Sequence, residues 1–119
     1  MTELNQSKEM VKLAIKALED KKANDIQIID ITGVSTIADY FVIAGGTNRN
    51  QIQALADNVD ETLGRAGFVG RQVEGYETAN WILMDYKDII VHIFDSENRL
   101  FYDLERIWSD GKRIDISEM

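Results

Sequence analysis

His92 is the only histidine in a chain of 119 residues that contains no cysteine. Common zinc sites draw several ligands from His and Cys, and thiolate nucleophiles need Cys, so both chemistries fall away together. His92 lies between Val91 and Ile93 in an apolar run, where a packed, hydrogen-bonded imidazole is the plain reading and a general base the sharper one. A second candidate is Gly45-Gly46-Thr47-Asn48, between an apolar strand pattern and a helical one. Backbone N–H groups and a helix dipole can hold a phosphate at such a junction. Nucleotidyl transfer also needs carboxylates that hold divalent metals against a triphosphate. Asp-x-Asp is absent, and the substitutes are Asp95 with Glu97 and Asp103 with Glu105, the latter pointing apart on a helix. The junction therefore reads as a tight structural turn, and no catalytic residue, metal or cofactor is expected. The third candidate is recognition: Trp81 and Tyr86 flank an acidic turn containing Asp85 and Asp88, and Glu74 and Tyr76 lie just upstream. Large rigid aromatics rimmed by charge suit an interface hot spot, with burial in the core as the alternative.

The elements that must carry these residues follow from periodicity. Trp81 to Met84 and Ile89 to Phe94 are apolar, β-branched runs joined by a polar turn, which predicts a hairpin near the centre of a sheet. Continuous apolar runs imply strands covered on both faces. Met10, Val11, Ala14, Ile15 and Leu18 share one helical face, predicting a helix over 7–22 with Ser7 as N-cap. Strands are predicted at 25–31 and 40–44, with Asp25, Asp30 and Asp39 as strand-end groups rather than acids or bases. Ile52, Leu55, Ala56, Val59 and Leu63 predict a helix over 48–66, opened by an Asn48/Gln51 capping box and closed by Gly67. A short strand within 68–74 and a helix over 96–108, with Phe101, Leu104 and Trp108 in the core, complete the pattern. From Ser109 the tail is polar and is expected to fray. The order predicts an α/β fold, a mixed sheet flanked by helices, in one domain spanning 1–119 with its core at about 7–108.

Composition limits the partners. Net charge is −8, a field that repels phosphate backbones and favours a basic protein, so little direct nucleic-acid binding is expected. No run is long enough for a membrane span, and Met1 to Asn24 is polar and helical in pattern, unlike a signal peptide. An unprocessed cytoplasmic protein is expected.

With the residues in place, the chain resembles the ribosomal silencing factors, also called the Iojap family. The resemblance rests on KKANDIQIIDITGVSTIADYFVIAGG, the 48–67 helix, VEG at 73–75, NWILMDYKDIIVHIF and RLFYDLERIW at 99–108. It implies a fold similar to nucleotidyltransferases but without their catalytic carboxylates or activity. It further implies a translational repressor that binds the large ribosomal subunit through the basic ribosomal protein L-fourteen, blocks joining of the small subunit, and in organelle members assists large-subunit assembly. The strand beginning at Trp81 would carry part of the binding surface, giving Trp81, Asp85, Tyr86, Glu74 and Tyr76 as partner-binding residues. Lys87 departs from the family, which usually has Gly at that turn position. A nucleotide-binding enzyme using the Gly45-Gly46 turn and a homodimeric scaffold pairing through Trp81 are the competing readings.

Overall fold

A computed structural model describes residues 2–33, 36–96 and 111–115. In chain order these form α1 (Thr2–Asp20), β1 (Asn24–Asp30), β2 (Tyr40–Gly46), α2 (Arg49–Arg65), β3 (Gln72–Glu74), β4 (Trp81–Asp85), β5 (Ile89–Asp95) and β6 (Lys112–Ile114). The strands make one mixed sheet in the order β3-β4-β5-β2-β1-β6. Only β2 and β5 run parallel, with Val42 opposite Val91, and the other pairs are antiparallel. The predicted hairpin is β4–β5, with Trp81 opposite Phe94 and Asp85 opposite Ile90. Every residue of β2 and all but the last of β5 are buried, as their continuous apolar runs require.

Side-chain alternation divides the sheet into two apolar faces. Val42, Ala44, Ile82, Met84, Val91 and Ile93 join the buried stripe of α1 and the apolar face of α2 in the larger core. Ile29, Phe41, Ile43, Ile90 and Phe94 form a second cluster on the opposite face, with Trp81 and Leu83 partly buried against it. The predicted third helix and Trp108 lie outside the described residues, apart from Ser96 at the helix's start.

Both helices end in a Schellman arrangement. In α2, Phe68 N donates to Leu63 O at 2.9 Å and Gly67 N to Gly64 O at 3.0 Å, with Gly67 at φ +93° as the predicted C′ residue. In α1, Ala23 N donates to Leu18 O and Lys22 N to Glu19 O, and Lys22 takes the left-handed position at φ +63°. Helix α1 begins five residues before the expected Ser7 cap. Ser7 is instead fully buried inside the helix, its hydroxyl donating to Asp39 Oδ2 at 2.5 Å, so a tertiary bond replaces the capping role. Asn48 is the cap of α2 as predicted, its Oδ1 accepting from Gln51 N at 2.8 Å. The Gln51 side chain bonds Thr47 N at 2.8 Å rather than the Asn48 amide.

The tail expectation fails at β6. Residues Lys112 to Ile114 pair with Asp30 to Ile28 of β1, and Ile114 packs against the larger core. This short pairing satisfies ladder groups that would otherwise leave β1 as an edge. Strand β1 also contains a register irregularity between Asn24 and Gln27, where Asp25 sits at φ +51°, so its first residues form a bulge rather than regular strand.

Gly46 does not take a positive φ. Its constraint is proximity: a Cβ there would stand 2.7 Å from Ile52 Cγ1, because α2 folds directly over the end of β2. Gly46→Ala is therefore expected to lower stability by about 1–3 kcal/mol, the usual range for overpacking, measured by urea unfolding. Lys87 gives the opposite case. It stands at φ +73° in the hairpin turn, so Lys87→Gly should relieve the left-handed strain and, after the entropy of an added glycine, raise the urea midpoint by roughly 0.5 kcal/mol equivalent. An unchanged or lowered midpoint would show that the turn tolerates lysine without strain.

A candidate docking face on the hairpin

Strand register sorts the five residues expected to bind a partner. Trp81, Leu83 and Asp85 alternate onto one face of β4, and Glu74 of β3 stands opposite Leu83, so Glu74 shares that face. Trp81, Leu83 and Asp85 are half-buried and Glu74 is exposed. Tyr86 and Tyr76 belong to the other side. Tyr86, expected at the surface, is only 4% exposed, and its hydroxyl donates to Asp60 Oδ1 of α2 at 2.8 Å. Desolvation first, and then this carboxylate, push its pKa far above the usual phenol value. Tyr76 is half-buried and its hydroxyl donates to Asp57 Oδ2 at 3.1 Å, while Gln53 Nε2 donates to its carbonyl at 2.9 Å. The hydrogen bond to Asp57 is the main reason its phenol pKa is also raised. Both tyrosines brace the β3–β4 region against α2.

The acidic turn is likewise built from local chemistry. Asp85 Oδ1 accepts from Lys87 N at 2.8 Å, and Tyr86 N donates to Ile89 O at 3.0 Å. Asp85 thus folds the turn with one oxygen, an Asx arrangement that aspartate and asparagine both support. Ahead of the hairpin, Gly75 at φ +80° lets the chain pass so close to β4 that a Cβ would stand 2.1 Å from Trp81 O. The glycine of the VEG segment is needed to bring Glu74 and Trp81 together.

Trp81 rests on an aromatic cluster. Its ring stacks on Phe94 at 5.3 Å, and its Nε1–H donates to Nδ1 of His92 at 3.1 Å. His92 in turn meets the edge of Phe41 at 4.7 Å and stacks with Phe94 at 6.3 Å. Accepting the indole proton on Nδ1 requires the neutral imidazole with its own proton on Nε2. Burial enforces neutrality: His92 is 3% exposed and desolvation lowers its pKa to about 3. The sequence reading of a packed, hydrogen-bonded histidine holds, but its partner was missed. The signal lay in the hairpin register, since pairing Trp81 with Phe94 makes Trp81 and His92 diagonal neighbours.

The Gly45-Gly46 junction opens on a cleft of about 360 Å³ lined by Thr47, Asn48, Arg49, Thr78, Asn80 and Asp95. The Thr47 amide and hydroxyl are both engaged by Gln51 Oε1, at 2.8 and 3.0 Å. Among the described residues, no three His, Cys, Asp or Glu side chains come together in a way that could hold a metal ion, and no helix is long and apolar enough to cross a membrane.

This is an α/β fold, a mixed sheet with Trp81, Leu83, Asp85 and Glu74 on one face of β3 and β4. A family model described as ribosomal silencing factor during starvation matches residues 4–119. The ribosomal silencing factor RsfS of Halalkalibacterium halodurans is 36% identical over 110 residues, covering 92% of this chain and 94% of that protein. RsfS of Bacillus subtilis is 37% identical over 113 residues, 95% of each. A crystal structure of a Chromobacterium violaceum protein superposes with a TM-score of 0.83 at 37% identity, covering 85% of this chain and 84% of that one. The chain belongs to the ribosomal silencing factor family, whose role is ribosome-associated silencing.

The neutral state of His92 makes stability depend on pH. The unfolded chain binds a proton on this residue below about pH 6.5, whereas the folded chain does not until about pH 3. Its contribution is complete above pH 6.5 and is lost as pH falls toward 3, at about 1.4 kcal/mol per pH unit. Between pH 6.5 and 5, above the range where most carboxylates titrate, unfolding free energy should fall by roughly 2 kcal/mol. His92→Phe should flatten this segment of the profile. Equal slopes in the two proteins would show that His92 is not held neutral by burial.

Proposed function

We propose that this protein represses translation by docking on the large ribosomal subunit through ribosomal protein L-fourteen and occluding the surface where the small subunit joins. The reading starts from family membership, and the observation that carries it to particular residues is the shared face of Trp81, Leu83, Asp85 and Glu74. A half-buried tryptophan backed by Phe94 gives a rigid anchor, and two carboxylates beside it suit a basic protein surface. At net charge −8, attraction to a basic ribosomal protein steers the factor to a site that bare ribosomal RNA would repel. Occlusion needs tight binding and no catalytic group. Such a factor works in the cytoplasm, where the subunits meet, and occupancy of the joining surface also suits a role late in large-subunit assembly. Tyr76 and Tyr86 serve this face indirectly, by holding the hairpin on α2.

Trp81→Ala should weaken co-sedimentation with purified large subunits by about 30- to 1,000-fold, the equivalent of about 2–4 kcal/mol for a central interface aromatic. It should also release the block on subunit joining. Asp85→Asn keeps the acceptor for Lys87 N and removes the charge, so it should slow association and flatten its salt dependence while the hairpin stays folded. Thermal melting accompanies each variant. A folded Trp81→Ala protein that sediments fully with large subunits and still blocks joining would refute the docking face. Self-association abolished by the same substitution, without any subunit binding, would replace the ribosomal reading with a homodimer.

A further inference from the structure

We propose that His92 is a positioning residue for docking: its Nδ1 holds the indole N–H of Trp81 and fixes the orientation in which that ring meets the ribosomal protein. This inference rests on the docking reading above, and three observations carry it.

The first is that sheet pairing does not call for the bond. Trp81 stands opposite Phe94, and His92 stands opposite Leu83, so the 3.1 Å contact between Nε1 and Nδ1 is a diagonal side-chain bond added to a complete backbone ladder. The second is that packing does not call for an imidazole. His92 is 3% exposed between the rings of Phe41 and Phe94, and its buried Nε2 has no hydrogen-bond partner among the described residues. A phenylalanine would fill the same aromatic slot without the orphaned Nε2, but it would take the acceptor away from the Trp81 indole N–H. The imidazole thus carries one unpartnered nitrogen at this position, and the bond it does make goes to Trp81.

The third observation concerns the tryptophan. Stacking on Phe94 at 5.3 Å with 25° between the planes places the ring but is non-directional about the stacking axis. A hydrogen bond to Nδ1 adds a directional restraint on χ2 that stacking lacks. It also occupies the indole N–H, so the exposed part of the ring is presented in one orientation. Fixing an anchor before binding removes ordering entropy from the association step.

The test is a double-mutant cycle at neutral pH, read by large-subunit affinity and thermal melting. His92→Phe removes the acceptor and keeps the ring packing; losing the orphaned Nε2 offsets the unpaired indole N–H, so the melting temperature should stay close to that of wild type. Binding should nevertheless weaken about 2- to 10-fold, the range for one net hydrogen bond. A purely structural histidine would move both quantities the same way. In a Trp81→Phe background, which has no indole N–H, His92→Phe should cause no further loss. His92→Asn, whose amide oxygen can stand near the Nδ1 position, should recover most of the affinity. Wild-type protein labelled with heavy nitrogen should also show nitrogen–nitrogen coupling through the Nε1–H···Nδ1 bond. Absence of that coupling, or undiminished binding by folded His92→Phe when Trp81→Phe binds poorly, would overturn the positioning role. Full binding by Trp81→Phe and Trp81→Ala together would instead remove the docking reading itself, and the positioning role with it.

Discussion

The parallel pairing of β2 with β5 is the constraint on which the rest of the fold depends. Parallel neighbours cannot be joined by a hairpin, so the chain must leave the end of β2, cross the sheet and return to the start of β5. Here the excursion is α2, β3 and β4, and it places β3 and β4 at one side of a pair that is buried on both faces. The departure point is correspondingly tight. Gly46 leaves no room for a side chain beneath Ile52, and Gln51 ties the junction to the end of α1. Its Oε1 accepts from Thr47, and its Nε2 donates to Lys21 O and Lys22 O at 3.2 and 3.0 Å. One side chain therefore satisfies donors and acceptors from two helix termini, groups that helix geometry leaves orphaned. Asn58 adds a second tie between the helices, its Nδ2 donating to Ala17 O at 2.8 Å.

Strand β5 is held along its length by β2, whereas β4 has only the three-residue β3 on its other side. The two tyrosines supply the missing restraint from the side of α2, and burying Tyr86 with its hydroxyl satisfied makes its ring part of the core at no polar loss. The residues chosen for recognition by type thus separate into two jobs. Trp81, Asp85 and Glu74 share one face, and Tyr76 and Tyr86 tie the opposite side to α2.

What could be read from the chain alone follows the same physics. The apolar stripes of α1 and α2, the buried character of β2 and β5, the Asn48 cap and the Gly67 terminus are all local patterns, and local patterns survive translation into structure. Strand order is not local, because it depends on which edges meet. The pairing of Lys112 to Ile114 with β1 was hidden for that reason: a single isoleucine among charged residues carries no strand signature until an unpaired edge is available. Face assignment around the turn was hidden too. Tyr86 follows Asp85 directly, and in a strand one step of sequence moves a side chain from one face to the other. The Trp81–His92 bond was legible in principle from the hairpin register, but composition alone presented His92 as a solitary group.

The positions that break local rules also sort by cause. Lys22, Asp25 and Lys87 occupy left-handed backbone, and each serves geometry: a helix terminus, a bulge and a hairpin turn. Their strain is a backbone matter that glycine would relieve. His92 breaks a different rule, placing a titratable ring with one unbonded nitrogen inside an aromatic cluster, and no backbone need accounts for it. Unsatisfied buried polar groups in a folded protein call for an explanation other than stability. Here the made bond ends on Trp81, the half-buried aromatic of β4 on which the proposed docking face depends. On the proposed occlusion reading, rigidity of that contact takes the place that chemistry holds at a catalytic centre.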